Sequence, residues 1–186
     1  MPWAGNKMEK IRLGYLASLK IGEKYIGGVM ITDEGTVPLE FKYTEPLQPT
    51  RLQRILFGKT MDLYLSEEVI RRNLLKEVNY PPLVYFVADI ALLADAAPGK
   101  VPLAALQQTT LPALARPGEA QRVKEKEILI QSGTSSSPCR VTFFTPETDV
   151  QERILNSLAS IIGRIDLLEP FQRMEAALAA LCQEKN

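Results

Sequence analysis

Basic side chains near the start of the chain have a spacing that could present them to an anionic ligand. Polar and apolar residues alternate over residues 10–21 and again over 37–44. A period of two is typical of β-strands, whose side chains point alternately to the two faces of a sheet. We therefore expect one packed face and one free face, the free face carrying Lys10, Arg12, Lys20 and Lys42. That face could contact phosphates, or it could be a solvated surface whose lysines discourage edge pairing.

A second basic group lies where a helix is predicted to begin. Thr50 can cap this helix, and Arg51 and Arg54 follow about one turn apart. Free backbone N–H groups and two guanidinium groups would form an anion site. The alternative is the polar face of a short amphipathic helix. The nearby Gly58-Lys59-Thr60 matches only the end of a phosphate-binding loop, because Gln53 stands where the first glycine is needed.

Carboxylates form the third candidate group: Asp33, Glu34, Asp89, Asp95, Glu147 and Asp149. Asp89 follows a continuous apolar run, residues 83–88, that is typical of a buried strand. The predicted order up to about residue 90, β-β-β-α-β with Asp89 ending the last strand, resembles the opening order of the ribonuclease H-like fold. This resemblance implies a Mg²⁺-dependent phosphodiesterase or nuclease with two metal ions between carboxylates. Such enzymes have an acid in the first strand, whereas residues 12–19 contain none, and Asp33 and Glu34 fit a hairpin turn.

The absence of histidine excludes several classes of enzyme. The chain has no histidine and two cysteines, Cys139 and Cys182. Ser-His-Asp and Cys-His sites, histidine-containing zinc sites and four-cysteine zinc sites therefore cannot be built within one chain. We predict no metal site and no cofactor, and we expect both thiols to be free, as in a reducing compartment.

Composition and charge are those of an ordinary cytoplasmic protein. The 186 residues include 22 basic and 22 acidic side chains, so no overall charge attracts nucleic acid or an anionic membrane. The start, residues 1–5, does not resemble a signal peptide, and no apolar run approaches the ~20 residues of a membrane helix. Any anionic partner would have to bind a local basic patch.

The pattern of elements predicts a single α+β domain over residues 1–186. We expect an N-terminal three-stranded antiparallel meander, central helices, a further strand and hairpin, and a C-terminal helical pair. The glycines at 27 and 28 inside the second strand suggest a bulge or a close backbone approach. Residues 107–121 are predicted to form a long loop, and residues 132–138 a flexible turn between the last two strands.

The last helix has an apolar stripe with the spacing of a short coiled-coil seam. Its positions are three, four and three residues apart: Phe171, Met174, Leu178 and Leu181. The stripe could contact the same helix of a second chain in a homodimer, or it could close the chain's own core.

Three functional hypotheses follow. The first is a non-enzymatic binding or assembly module that acts through protein–protein contacts, with a protein partner or a second copy. The second is a nucleic-acid- or anion-binding protein, which would use Lys10, Arg12, Lys20, Lys42, Arg51 and Arg54. The third is the Mg²⁺-dependent nuclease implied by the resemblance above. Nothing in the sequence predicts a membrane partner.

Overall fold

The fold is α+β, as predicted, and is built on one mixed β-sheet. The computed structural model describes residues 10–89, 100–133 and 135–184. Within these residues the sheet has eight strands in the order β3-β2-β1-β4-β5-β8-β7-β6. The strands are β1 (Leu13–Ile21), β2 (Lys24–Thr32), β3 (Pro38–Tyr43), β4 (Val84–Val87), β5 (Leu103–Gln108), β6 (Ala120–Arg122), β7 (Glu127–Ile130) and β8 (Cys139–Phe143).

Helices connect β3 to β4 and follow β8. The first group is nearly continuous and contains a π-helical segment, in which the helical turn is one residue wider than usual. Its parts are α1 (Arg51–Phe57), a 3₁₀ turn (Gly58–Thr60), α2 (Met61–Tyr64), the π-helical segment (Leu65–Arg71) and α3 (Arg72–Glu77). The C-terminal pair is α4 (Thr148–Ile162) and α5 (Glu169–Glu184).

Strand β1 joins the antiparallel and the parallel parts of the sheet. It pairs antiparallel with β2, which pairs antiparallel with β3, so the predicted meander is confirmed. On its other side β1 is parallel to β4, and β4 is parallel to β5. Because β1, β4 and β5 run in the same direction, the residues that precede these three strands meet at one edge of the sheet.

Both faces of the sheet are covered, so the prediction of one free basic face is wrong. Tyr15 and Phe86 are buried on the face that also packs against α4 and α5. Leu16 and Val87 are buried on the opposite face with Ile70 of the π-helical segment. The alternation in β1 is broken at Leu16, and that residue is the sequence signal for a second buried face.

The apolar stripe of α5 packs inside the chain. Phe171, Met174 and Leu178 are buried in the core against the sheet, and Leu181 packs at its margin. The Phe171 ring contacts Tyr15 edge-on, with ring centroids 5.3 Å apart. The dimer contact proposed for this stripe is therefore occupied by the chain's own β1.

The region predicted as a long loop is partly strand. Residues 107 and 108 end β5 and residues 120 and 121 begin β6, which leaves 109–119 as irregular backbone. This backbone is tied to the end of β7, since the Gly118 N–H donates to the Gln131 carbonyl at 2.8 Å. The Leu114 N–H donates to the Gln131 side chain at 3.0 Å.

Both cysteines are free, as predicted, and the structure shows that both are buried. Among the described residues, no helix combines the length and apolar character needed to cross a membrane.

A candidate nucleic-acid interface

The amino edge of the parallel strands brings together three segments that are far apart in sequence. The Leu83 N–H donates to the Arg12 carbonyl at 2.8 Å, and the Tyr85 N–H donates to the Pro102 carbonyl at 2.9 Å. These bonds extend the parallel ladders beyond the ends of the strands. Residues 10–12, 81–83 and 100–102 therefore lie side by side.

The three segments and α4 enclose a cavity of about 380 Å³, which we call the basic cleft. Its cationic lining residues are Lys10, Arg12, Lys100 and Arg153, and none of the described residues in its lining is an aspartate or a glutamate. None of the ion pairs within the described part of the chain involves any of these four cations. The cleft is therefore a concentration of uncompensated positive charge on a chain whose net charge is zero.

The basic surface continues beside the cleft, toward the β8–α4 connection. A neighbouring cavity of about 510 Å³ shares Lys100 and Arg153 and adds Lys126, with Glu147 as its one carboxylate. The Lys126 ammonium group donates to the Phe144 carbonyl at 3.2 Å, which holds its charge on this surface.

A second cavity of about 380 Å³ adjoins the cleft on the side of β3. It shares residues 10–12 with the cleft and is completed by Asp33, Glu34, Leu39 and Tyr80. Tyr80 is 48% exposed, so its ring is open to solvent beside the cavity.

The structure separates the cations of the predicted basic face. Lys10 and Arg12 lie in the basic cleft, whereas Lys20, at the opposite end of β1, contacts Asp62 at 2.9 Å. The Tyr25 hydroxyl and Lys20 both hydrogen-bond to Asp62 and hold the pKa of that carboxyl below its usual value. Lys42 lies 3.7 Å from the Glu40 carboxylate. Charges at Lys20 and Lys42 are thus compensated locally.

The predicted helix begins after Thr50, but the Gln53 N–H and the Arg54 guanidinium at its start already have partners within the chain. Thr50 and Gln53 make a reciprocal capping box, so the first-turn N–H of Gln53 has a partner. The Arg54 guanidinium pairs with Glu23 and holds the pKa of that carboxyl below its usual value. Arg51 and Arg54 line a separate open cavity of about 590 Å³, together with Glu23.

The carboxyl edge of the parallel strands is where the ribonuclease H-like resemblance places metal chemistry. The predicted order β-β-β-α-β is present, and Asp89 lies two residues beyond Val87, the last residue of β4. Two residues beyond the paired Leu16 on β1, the matching position is Ser18. The Ser18 hydroxyl donates to the Ser66 hydroxyl at 3.1 Å, so a serine pair occupies this part of the edge.

The described carboxylates do not form a metal site. Across residues 10–89, 100–133 and 135–184, no group of three or more Asp, Glu or Cys side chains could hold a metal ion. Glu67 is buried in an ion pair with Arg71, at 2.5 Å. Asp33 accepts from the backbone N–H groups of residues 35 and 37, as expected of a turn residue. Asp95 lies outside the described residues. These residues do not fit the two-metal arrangement implied by the resemblance.

Sequence analysis missed the partners of Lys10 and Arg12 in the cleft. Lys100 lies three residues before β5, and Arg153 lies on α4. The sequence signal for this site is that basic residues precede two different strands: Lys10 and Arg12 precede β1, and Lys100 precedes β5. Only the parallel pairing of those strands, which sequence analysis did not predict, brings the residues together.

Comparison with known proteins identifies the fold. No protein-family model matches this sequence, and no curated protein sequence matches it. Among solved structures, it resembles endonuclease V from Streptomyces avermitilis, with a TM-score of 0.57 and 10% identity over 95% of this chain and 82% of that one. It also resembles endonuclease V from Bacillus subtilis, with a TM-score of 0.56 and 11% identity over 95% of this chain and 81% of that one.

This finding contradicts the first functional hypothesis. A non-enzymatic module acting through protein–protein contacts is wrong as the leading interpretation, because the fold is shared with proteins that are named as nucleases. The preference for a protein partner or a homodimer over nucleic acid is wrong for the same reason. At this level of identity the likeness establishes the fold alone, so the function must be argued from the basic cleft.

Proposed function

We propose that this protein binds nucleic acid by contacting the phosphate backbone in the basic cleft. The observation that carries the proposal is the convergence of Lys10, Arg12, Lys100 and Arg153 in a cavity to whose lining the described part of the chain contributes no carboxylate. Lysine and arginine are the usual ligands of backbone phosphates, and arginine adds a planar fork of donors. The endonuclease V fold supports the proposal, since it is a fold in which nucleic-acid enzymes occur.

The charge distribution makes the expected binding strongly dependent on salt. Because the chain has no net charge, attraction must come from the cleft itself. Each neutralised phosphate of a single strand contributes a slope of about −0.7 to log K against log salt concentration. If each of the four cations contacts a phosphate, the slope is about −3, equivalent to a ~50-fold loss of affinity between 50 and 200 mM salt.

The test is fluorescence anisotropy with labelled DNA and RNA oligonucleotides at 50, 100 and 200 mM salt, in EDTA. The double variant Lys100→Ala/Arg153→Ala is expected to bind about tenfold more weakly at 50 mM salt, with a slope reduced by about 1.4. The matched control, Lys59→Ala/Arg164→Ala, also removes one lysine and one arginine from exposed positions but leaves the cleft intact. It is expected to bind like the wild type.

A third variant separates the cleft from the other predicted basic group. Arg51→Ala/Arg54→Ala removes the cations of the helix start, where Glu23 already neutralises Arg54. We expect wild-type affinity and slope. The proposal fails if the wild type does not bind at 50 mM salt, or if the helix-start variant loses affinity while the cleft variant keeps it.

A further inference from the structure

An exposed aromatic ring lies next to the basic cleft. Tyr80 lines the adjoining cavity with Lys10 and Arg12, which also line the cleft, so the phosphate-binding cations and the ring share one surface. The two residues that follow, Pro81 and Pro82, belong to the cleft wall. A phosphate on Lys10 or Arg12 would therefore place its own nucleotide beside Tyr80.

The turn that carries Tyr80 is held by one nearly buried carboxylate. The Glu40 side chain, 6% exposed, accepts from the Asn79 N–H at 3.0 Å and from the Tyr80 N–H at 3.2 Å. It also accepts from the Asn79 side-chain amide at 2.7 Å. Hydrogen bonds to a charged acceptor are among the stronger ones in proteins, and the following prolines restrict the backbone further. The exposed ring is thus presented from a fixed backbone.

The charges divide this surface into two parts. Among the described residues the basic cleft is lined by cations and no carboxylate, whereas the Tyr80 cavity has Asp33 and Glu34 beside the shared Lys10 and Arg12. Carboxylates repel phosphates but leave room for an uncharged base. Leu39, which is 47% exposed, adds apolar surface on the same side as Tyr80. These linings favour phosphates in the cleft and an uncharged base in the Tyr80 cavity.

We infer that the protein prefers single-stranded nucleic acid, with one base stacked on Tyr80 while the adjacent phosphates lie in the basic cleft. The inference rests on the proposed function. It adds a preference for single-stranded over double-stranded nucleic acid, and it assigns that preference to Tyr80. Stacking on an aromatic side chain requires a base that is free of its own neighbours, which a duplex does not offer. Glu40 acts as a positioning residue, because it holds the backbone from which the ring projects.

The experiment compares two oligonucleotides that carry the same charge. One is a 12-residue oligo-dT, and the other has the same number of phosphates but abasic residues throughout. Anisotropy at 50 mM salt gives the affinity ratio of the two probes for the wild type and for Tyr80→Ala, Tyr80→Phe and Tyr64→Ala. Tyr64 is the matched control, since it is a tyrosine with similar exposure, 40%, on α2.

We expect the wild type to bind oligo-dT about tenfold more tightly than the abasic probe, because one base stacked on an aromatic ring accounts for a factor of this order. Tyr80→Ala should lower the ratio of the two affinities to about one, by weakening the binding of oligo-dT and leaving the affinity for the abasic probe unchanged. Tyr80→Phe and Tyr64→Ala should keep the ratio. A duplex of the same length should bind no more tightly than the abasic probe and should not respond to Tyr80→Ala.

The possible results separate the stacking role of Tyr80 from phosphate binding in the basic cleft. If Tyr80→Ala leaves the ratio unchanged, or weakens both probes equally, the stacking role is wrong while phosphate binding in the cleft stands. If the wild type binds neither probe, and also binds neither the DNA nor the RNA oligonucleotides of the previous experiment, the proposed function is wrong and the inference falls with it. If the wild type binds the duplex more tightly than oligo-dT, the preference for single strands is wrong, while phosphate binding in the cleft stands.

Discussion

Gly27 on β2 allows the π-helical segment to pack directly on the sheet. A β-carbon at this position would collide with the Ile70 side chain and would meet the Ala17 carbonyl at 3.2 Å. Ile70 is 1% exposed and belongs to the core on this face. The pair of glycines in the sequence predicted a bulge or a close backbone approach. The structure shows the close approach at Gly27, made by a helix rather than by a ligand.

Gly27→Ala should therefore destabilise the protein through overpacking. We expect the free energy of unfolding to fall by about 1–3 kcal/mol, because Ile70 or the strand must shift to admit a methyl group. Urea denaturation measures this change. Gly35→Ala is the control, since a β-carbon there meets only the Asp33 carboxylate at 3.5 Å, an ordinary contact. Equal stability of the two variants would contradict the packing argument.

At the scale of elements, the turn between β7 and β8 is fixed by the corner between α4 and α5. Ser132 is fully buried, and its hydroxyl donates to the Ile165 carbonyl and accepts from the Leu167 N–H at 3.3 Å. The Gly133 N–H donates to the Ile162 carbonyl at 3.1 Å. These bonds satisfy backbone groups where α4 has ended and α5 has not begun.

Ser132→Ala should lower the free energy of unfolding by about 1–3 kcal/mol, because it leaves the buried Leu167 N–H without its partner. The Ile165 carbonyl keeps only the bond from the Gly133 N–H at 3.3 Å. Thermal or urea unfolding gives the value. Ser160→Ala is the matched control. Its hydroxyl also bonds to a carbonyl, that of Ser157, but the residue is exposed on α4, so the change in stability should be near zero. A Ser132→Ala protein as stable as this control would show that the corner does not depend on the bond.

Local residue patterns predicted the strands and helices, but they did not predict how the β7–β8 turn is held. The alternation of residues predicted the meander, and the apolar runs predicted β4 and the two C-terminal helices. The composition of residues 132–138 predicted a flexible turn, because serine and glycine are common in turns. The structure instead anchors Ser132 to Ile165, which is 33 residues away. A bond over that separation depends on tertiary packing and leaves no local signal.

At the scale of the whole molecule, the two edges of the parallel strands have different chemistry. The amino edge holds the uncompensated cations of the basic cleft, and the carboxyl edge holds the serine pair near Asp89. The alternation over residues 10–21 identified Lys10 and Arg12, although it placed them with Lys20 and Lys42 on a free sheet face. It did not identify Lys100 and Arg153, because their approach depends on strand direction, and hydrophobic periodicity alone does not distinguish parallel from antiparallel pairing.

The buried acids of the core make the stability of the whole fold dependent on pH in the alkaline range. Burial, with a smaller effect of Asp166, raises the pKa of the Cys139 thiol from 9.0 to about 11. Burial, with a smaller effect of Glu40, raises the pKa of Tyr85 from 10.0 to about 12. Both groups are neutral in the folded protein at a pH where they ionise in the unfolded chain. The contribution of these two groups to the free energy of unfolding is therefore complete below pH 9. It declines as the pH rises toward 11 for Cys139 and toward 12 for Tyr85.

We expect the urea midpoint to be flat between pH 7 and 8.5 and to fall steadily above pH 9, where the unfolded chain releases protons that the fold retains. Cys139→Ala should reduce the slope of this fall between pH 9 and 11, since it removes the first of the two groups. Cys182→Ala, which also removes one buried thiol, is the control for the loss of packing. If the slope of Cys139→Ala equals that of the wild type, Cys139 ionises in the folded protein as readily as in the unfolded chain, and its burial in β8 does not hold the thiol neutral.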